Sequence, residues 1–202
     1  ADGIVGVFAS RRLTSVVSVA TLAAEVAPVP VRIVDTRCAA MAEGFCVLEA
    51  ARLAQRGGTL DEVAAAAEEC RGRSGLVAAF QTLEHLIRLG RGARVARMAR
   101  SRLHVEPVVT IADGSVAPVA VARSHARSAD CMVRAVERVV GNRPFRASVL
   151  HADQPEDGEA LAERMRAMPN CIEFVMSHLT PVMGVHTGPA LLGIAYSVAE
   201  EE

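Results

Sequence analysis

Short apolar segments alternate with helical segments over the first 72 residues, and this order constrains the fold more than any other feature of the sequence. Residues 4–9 and 31–35 are runs rich in small and β-branched side chains. The segments 16–26, 39–55 and 60–71 carry apolar residues at helical spacing. Short buried strands that alternate with helices in this way are typical of a parallel α/β sheet.

The pattern changes after Arg73. The β-branched runs 108–111 and 116–121 flank Asp113-Gly114, a dipeptide that favours a two-residue hairpin turn. A hairpin combined with αβ units indicates a mixed or antiparallel sheet. Around it the sequence predicts strands at 76–80, 145–150, 172–176 and 191–196, and helices at 83–89, 95–102, 124–140 and 155–168.

We therefore expect an α/β protein with two domains. Residues 1–72 form the remainder of a parallel-sheet N-terminal domain, and residues 73–202 form a mixed α/β C-terminal domain. The chain begins at Ala1 and runs almost directly into an apolar strand. A domain seldom begins there, so we expect the upstream part of the first domain to be missing.

Charge and composition exclude several classes of function. All 22 basic residues are Arg, against 23 acidic residues, and the formal net charge of -1 argues against nucleic-acid or polybasic-membrane binding. The absence of Lys excludes Schiff-base chemistry. No apolar run approaches the roughly 20 residues of a membrane span, so we expect no stable membrane insertion. Five scattered Cys without a CxxC motif predict reduced thiols and a cytoplasmic protein, not a disulfide framework or zinc site.

Three polar segments are candidates for function. Residues 10–15 join a strand end to a helix start, where hydroxyls and helix amides suit an anion, although ordinary capping is an alternative. Residues 180–189 place His186 among two Gly and two Pro, where it could contact a ligand or be structural. Residues 88–102 contain six Arg, which indicate a solvated basic face or a docking surface for phosphate or an acidic partner. We interpret the His151–Asp153 segment as strand-end capping.

Five segments, taken in order, resemble motifs of the DegV family of fatty-acid-binding proteins, and the match runs over the whole chain. The fourth is similar to the family's His-Ala-Asp-x-Pro-Glu, and the fifth to Gly-Thr-His-x-Gly-Pro-Gly-Ala-Leu-Gly. The segments are Ser10-Arg11-Arg12-Leu13-Thr14-Ser15, Val34-Asp35-Thr36-Arg37-Cys38-Ala39-Ala40-Met41, Thr82-Leu83-Glu84-His85-Leu86 with Gly90-Arg91, His151-Ala152-Asp153-Gln154-Pro155-Glu156, and Gly184-Val185-His186-Thr187-Gly188-Pro189 with Leu192-Gly193.

The resemblance implies a bacterial, two-domain α/β carrier that buries one long-chain fatty acid in a tunnel. It further implies that the carrier presents the carboxylate to a separate ATP-dependent fatty-acid kinase, which forms an acyl phosphate. The carrier itself would be a lipid-binding subunit of the kinase system and not an enzyme, and it would need no cofactor and no metal.

The resemblance also assigns site residues. Thr14, Ser15 and His186 would bind the lipid carboxylate, and Arg91 would lie at the ligand entrance or the kinase-docking surface. A further carboxylate-binding loop, similar to Thr-Ser-Gln-Pro, would lie upstream of Ala1. The sequence departs from the family pattern at Ser15, where the family has Gly, at Val16-Val17 in place of Thr-Tyr, and at Gly92-Ala93 in place of Ile-Ser.

Two alternatives stay open. The chain could be a stand-alone enzyme that acts on a small organic acid, with His186 and Thr14 as acid/base or nucleophile. It could also be a degenerate family member that no longer binds lipid, which the substitutions at Ser15 and Val16-Val17 would explain.

Overall fold

Two β-sheets organise the fold of residues 2–81 and 105–200, the part of the chain that the computed structural model describes. The first sheet pairs two strands in parallel, and the second has six strands in the order β5-β4-β3-β8-β6-β7. The strands are β1 (Ile4–Phe8), β2 (Val31–Asp35), β3 (Ser74–Ala79), β4 (Glu106–Ala112), β5 (Ser115–Ala122), β6 (Phe145–His151), β7 (Cys171–His178) and β8 (Leu192–Val198).

Helices cover both sheets. They are α1 (Val16–Ala24), α2 (Met41–Gln55), α3 (Leu60–Gly72), α4 (His125–Val140), α5 (Pro155–Arg166) and α6 (Pro181–Thr187). The segment Thr59-Leu60-Asp61-Glu62 has the sequence pattern of a capping box, and the structure contains one at the start of α3. The Thr59 N–H donates to Glu62 Oε2 at 2.8 Å, and the Glu62 N–H donates to Thr59 Oγ1 at 3.4 Å. Within the described ranges, every helix is too short or too polar to cross a bilayer.

The predicted α/β class is confirmed, with a small parallel sheet and a mixed second sheet. In the second sheet β6 and β7 run parallel, whereas β3, β4, β5 and β8 pair with their neighbours antiparallel. The helices agree less completely with the prediction from sequence. Helix α6 forms in residues 180–189, where two Gly and two Pro predict a loop or a helix entry. The helices predicted at 83–89 and 95–102 lie outside the described residues. The domain boundary near residue 72 stays a prediction.

The β4–β5 hairpin has the turn that its Asp-Gly dipeptide predicts. Asp113 has φ 48° and Gly114 has φ 75°, as a type I′ turn requires. A Cβ atom at Gly114 would collide with the Ser10 side chain. Glycine at this position therefore lets the hairpin turn approach the loop between β1 and α1, which brings the two sheets together.

Strand β3 separates two layers of core. Leu76 and Ala78 face the cluster that α2 and α3 supply, which includes Phe45 and Cys46. Val77 and Ala79 face the opposite cluster, with Met132 of α4 and Leu161 of α5. Because side chains alternate along a strand, one short sequence contributes to both layers.

Candidate functional site

An apolar cavity of about 270 Å³ lies between the ends of the parallel strands and the face of β3. Its wall combines the segments that follow β1 and β2 with β3, β4, β5, the end of β6 and α6. The apolar lining residues are Ala9, Leu13, Val16, Ala39, Ala40, Leu76, Ala78, Phe80, Val109, Ile111, Val116, Leu150, Leu179, Val182, Met183 and Leu191. Small side chains at several of these positions leave the space that larger ones would fill.

Three polar side chains complete the wall among the described residues: Thr14, His186 and Thr187. Thr187 is 6% exposed, and its hydroxyl lies 3.0 Å from the Met183 carbonyl oxygen, within α6. Thr14 Oγ1 accepts a hydrogen bond from the Val16 N–H at 3.3 Å, which leaves the hydroxyl proton to donate. The cavity thus has an apolar body and a few polar groups on α6 and at the start of α1.

A tight turn positions Thr14. The N–H groups of Leu13 and Thr14 both donate to the Ser10 carbonyl oxygen, at 2.8 and 3.0 Å. Ser10 is fully buried, and its own N–H donates to the Cys38 carbonyl oxygen at 2.9 Å. The loop after β1 is therefore fixed to the loop after β2, and Thr14 is held at the N-terminus of α1.

Helix α6 positions His186. Pro181 occupies its first turn, and the left-handed Gly188, at φ 76°, ends it. His186 lies four residues after Val182 and three after Met183, the helical spacing that places all three on the cavity side. Because the segment is helical, His186 lines the cavity together with Val182 and Met183.

The structure brings together two of the four predicted site residues. Thr14 and His186 line the same cavity, whereas Ser15 is exposed and is not among the lining residues. Ser15 is the N-cap of α1 with φ −86° and ψ 0°, an ordinary backbone conformation that does not require glycine. Arg91 lies outside the described residues.

The two valines that replace the family's Thr-Tyr have different surroundings. Val16 lines the cavity and is 46% exposed, so it stands at the edge of the cavity. Val17 is buried in the protein. Of these two departures from the family motif, only the one at Val16 therefore changes the cavity wall directly.

Sequence reasoning missed Thr187 and most of the apolar wall. Thr187 follows His186 directly, and the hydroxyl beside a candidate His was a usable signal. The apolar residues on β3 and β4 carried no such signal, because cavity-facing and core-facing residues are chemically alike. His151 accepts a hydrogen bond from the Gln154 N–H at 3.3 Å, in agreement with the capping role predicted for it.

Two titratable groups, the half-buried Glu43 and the buried Cys38, lie next to residues of the cavity wall. Burial raises the pKa of Glu43, in the first turn of α2, to about 7, although a hydrogen bond from the Ala9 backbone acts in the opposite direction. Burial also raises the pKa of Cys38 to about 11, which keeps that thiol neutral. All five cysteines are free. Among residues 2–81 and 105–200, no three His, Cys, Asp or Glu side chains are arranged to hold a metal ion.

Comparison with known sequences gives one consistent result. The sequence model of the DegV family of uncharacterised proteins matches residues 1–199. A DegV domain-containing protein of Streptomyces coelicolor is 36% identical over 198 residues, which are 98% of this chain and 70% of that protein. A DegV domain-containing protein of Mycobacterium tuberculosis is 33% identical over 202 residues, which are 98% of this chain and 71% of that protein.

Comparison with solved structures agrees. A fatty-acid-binding DegV family protein from Thermus thermophilus has a TM-score of 0.91 and 29% identity, with 98% of this chain and 72% of that chain covered. DegV, a fatty-acid-binding protein from Bacillus subtilis, has a TM-score of 0.86 and 25% identity, with 98% and 71% covered. The fold described above is therefore similar over nearly its whole extent to proteins whose ligand is a fatty acid.

Proposed function

Because this chain belongs to the DegV family, we propose that it binds one long-chain fatty acid, with the acyl chain in the apolar cavity and the carboxylate at Thr14 and His186. The observation that carries the proposal is the composition of the cavity wall, whose described residues are apolar except for Thr14, His186 and Thr187. An acyl chain gains about 0.8 kcal/mol for each methylene that it buries, so a wall of this kind supplies affinity along the whole chain.

The polar groups suit a carboxylate. The first N–H groups of a helix have no acceptor within the helix and carry a partial positive charge, so the start of α1 favours an anion. The Thr14 hydroxyl, at that start, can donate to a carboxylate oxygen. A hydrogen bond to a charged acceptor contributes roughly 1.5–3 kcal/mol, which fixes the orientation of the lipid more than it adds to its total affinity.

We further propose that the protein is a carrier for a separate ATP-dependent fatty-acid kinase. A carboxylate oxygen would accept the terminal phosphoryl group of ATP to give an acyl phosphate and ADP, while this protein holds the lipid. Support comes from the surroundings of the polar groups: Thr14 and His186 are half-buried, and their neighbours Ser15 and Val185 are exposed. A partner could therefore reach the carboxylate without removing the acyl chain from the cavity.

Two finer assignments belong to the same proposal. Arg91 would contact the kinase or the ligand entrance. We also infer a cytoplasmic location, which the five free thiols support, because free cysteines persist in reducing compartments.

Extraction of the purified full-length protein tests the first step. Denaturation and mass spectrometry should recover about one fatty acid per chain. Delipidated protein that binds no added palmitate or oleate would contradict fatty-acid binding and would favour the degenerate alternative. The ordinary backbone conformation of Ser15 weakens that alternative, since the position does not need glycine.

Reconstitution tests the second step. Lipid-loaded protein with ATP and a bacterial fatty-acid kinase should give acyl phosphate and ADP, and neither protein alone should do so. Turnover of an organic acid by this protein without the kinase would instead support the stand-alone enzyme.

A further inference from the structure

A polar cleft opens at the carboxyl ends of β1 and β2, and it shares no lining residue with the apolar cavity. Its volume is about 380 Å³. We call it the arginine cleft, because Arg11 and Arg12 of the β1–α1 loop, Arg37 after β2 and Arg71 of α3 line it. Ligands of open α/β sheets bind at this edge, so the position is one where a site is expected.

The arginine cleft has a surplus of positive charge. Among residues 2–81 and 105–200, four arginines and three carboxylates line it, the carboxylates being those of Asp35, Glu68 and Asp113. Arg11 Nε lies 2.8 Å from Asp35 Oδ2, and Arg37 Nη1 lies 2.8 Å from Asp113 Oδ1. Each guanidinium has five N–H donors, so most of the donors are not used by these contacts.

The contacts at Asp113 are exchangeable. Arg12 Nη1 donates to the Asp113 carbonyl oxygen at 3.1 Å, and the Arg37 and Asp113 side chains are 53% and 64% exposed. Exposed ion pairs contribute little stability, so a doubly charged anion can replace the Asp113 carboxylate at low cost. Arg37 itself adopts a left-handed backbone with φ 54°, a strained conformation for a residue with a side chain and one that is concentrated at binding sites.

A second polar cavity, of about 290 Å³, adjoins the arginine cleft and shares Arg37, Arg71 and Asp113 with it. Tyr196 of β8 lines this second cavity and is only 8% exposed. Its ring lies across Gly75 of β3, where a Cβ atom would collide with the hydroxyl. This hydroxyl is not among the fully buried side-chain atoms that lack a partner in the described part of the chain, so solvent in the cavity reaches it. A polar group of a ligand can replace that solvent and pair with the hydroxyl.

We propose that the arginine cleft binds a small phosphate ester. The guanidinium groups of Arg12 and Arg37 hold the phosphate, for which their fork of donors is suited. The Tyr196 hydroxyl pairs with a hydroxyl group on the organic part of the same molecule. The second polar cavity shares only Ile111 with the fatty-acid cavity among the described residues, and the proposed ligand belongs to a different chemical class.

Calorimetric titration at constant ionic strength tests the proposal, with inorganic phosphate, ribose 5-phosphate and ribose as probes. We expect saturable binding of ribose 5-phosphate, weaker binding of phosphate and none of ribose. Arg37→Gln should lower the affinity for ribose 5-phosphate at least tenfold. Tyr196→Phe should lower the affinity for ribose 5-phosphate but leave the affinity for inorganic phosphate unchanged. This difference distinguishes a site for a phosphate ester from a site for free phosphate.

Arg164→Gln is the matched control, because Arg164 forms an exposed ion pair with Asp130 on α4 and does not line either polar cavity. The proposal would be overturned if Arg164→Gln lowered the affinity for ribose 5-phosphate as much as Arg37→Gln does, or if binding of ribose 5-phosphate did not saturate. A Tyr196→Phe protein that binds ribose 5-phosphate as tightly as the wild type would also overturn it. Circular dichroism checks that each variant folds. Fatty-acid affinity measured in the same variants should not change, so this proposal and the carrier function can fail separately.

Discussion

Thr14 and His186, which lie near opposite ends of the chain, line the same apolar cavity. The turn closed on the Ser10 carbonyl oxygen positions the first, and α6 positions the second. The fold thus joins a hydroxyl and an imidazole that no local sequence motif contains together.

Removal of the Thr14 hydroxyl should weaken fatty-acid binding. Thr14→Val keeps the shape of the side chain but loses the donor, and the loss of a hydrogen bond to a carboxylate corresponds to roughly 1.5–3 kcal/mol, or about tenfold to a hundredfold in affinity. Thr14→Ser, which retains a hydroxyl, is the control and should bind nearly as the wild type does. Titration of delipidated protein with palmitate measures both. Equal affinity of the Val and Ser variants would show that the carboxylate lies elsewhere.

Filling the cavity should exclude the acyl chain without unfolding the protein. Ala78 lines the cavity from β3 and is 4% exposed, so Ala78→Leu extends a side chain into the space that the lipid would use. We expect a loss of palmitate affinity of at least about tenfold, with a loss of no more than about 1–3 kcal/mol in the free energy of unfolding, the usual range for an enlarged core side chain. Val185→Leu, on the exposed side of α6 at 68% exposure, is the matched control. Full palmitate binding by Ala78→Leu would place the acyl chain outside this cavity.

The hairpin turn at Gly114 should tolerate substitution less well than another left-handed glycine. Gly114→Ala places a Cβ atom against Ser10, whereas at Gly141, with φ 57°, a Cβ atom would meet no atom within 4 Å. Gly141→Ala should therefore cost only the conformational penalty of about 1 kcal/mol, and Gly114→Ala about 2–3 kcal/mol in the free energy of unfolding. Urea denaturation compares the two, and similar losses would rule out a steric role for the contact with Ser10.

Relief of the strain at Ala40 should stabilise the protein. Ala40 has φ 55° and ψ −142°, a region that glycine occupies far more readily than alanine. Ala40→Gly should raise the free energy of unfolding by about 1 kcal/mol, after the entropic penalty of glycine is subtracted. In contrast, Ala65→Gly on the exposed face of α3 should lower it by about 1 kcal/mol. A destabilised Ala40→Gly variant would contradict this interpretation of the backbone.

Stability should depend on pH through Glu43. The pKa of this carboxyl rises from 4.5 to about 7 on folding, so the folded state holds a proton that the unfolded state has released. Its contribution is fully present below pH 4.5 and is lost as the pH rises through about 7. Glu43→Gln, which stays neutral, should match the wild type at low pH and exceed its free energy of unfolding by about 1–2 kcal/mol at pH 8, after allowance for partial exposure. If the free energy of unfolding depended on pH in the same way in both proteins, the raised pKa of Glu43 would be contradicted.

The sequence allowed prediction of most of the described elements, because short β-branched runs, the Thr59–Glu62 capping box and the Asp113-Gly114 turn are local signals. For α6 the sequence left a loop or a helix entry open, since Pro181, Gly184 and Gly188 resemble a loop in sequence although they mark the start, middle and end of one short helix. Residue propensities alone do not distinguish such a short helix from a loop.

The site was only partly predictable for a different reason. Thr14 and His186 were assigned through resemblance to family motifs, and the cavity that joins them depends on long-range packing of β3, β4 and α6. The arginine cleft was not predicted at all. Arg11, Arg12, Arg37 and Arg71 are spread over three segments. The parallel pairing of β1 with β2 brings the first two segments to one edge, and Arg71 of α3 joins them by donating to the Asp35 carbonyl oxygen.

The alternation along β3 has a consequence for how such proteins diversify. Leu76 and Ala78 face the cavity, whereas Val77 and Ala79 face the packed core on the other side of the sheet. Substitutions at the first pair alter the space available to a ligand, and substitutions at the second alter the stability of the sheet. Leu76 and Ala78 also belong to the core beneath α2 and α3, so a change of ligand length through this strand is limited to side chains that this core can still accommodate.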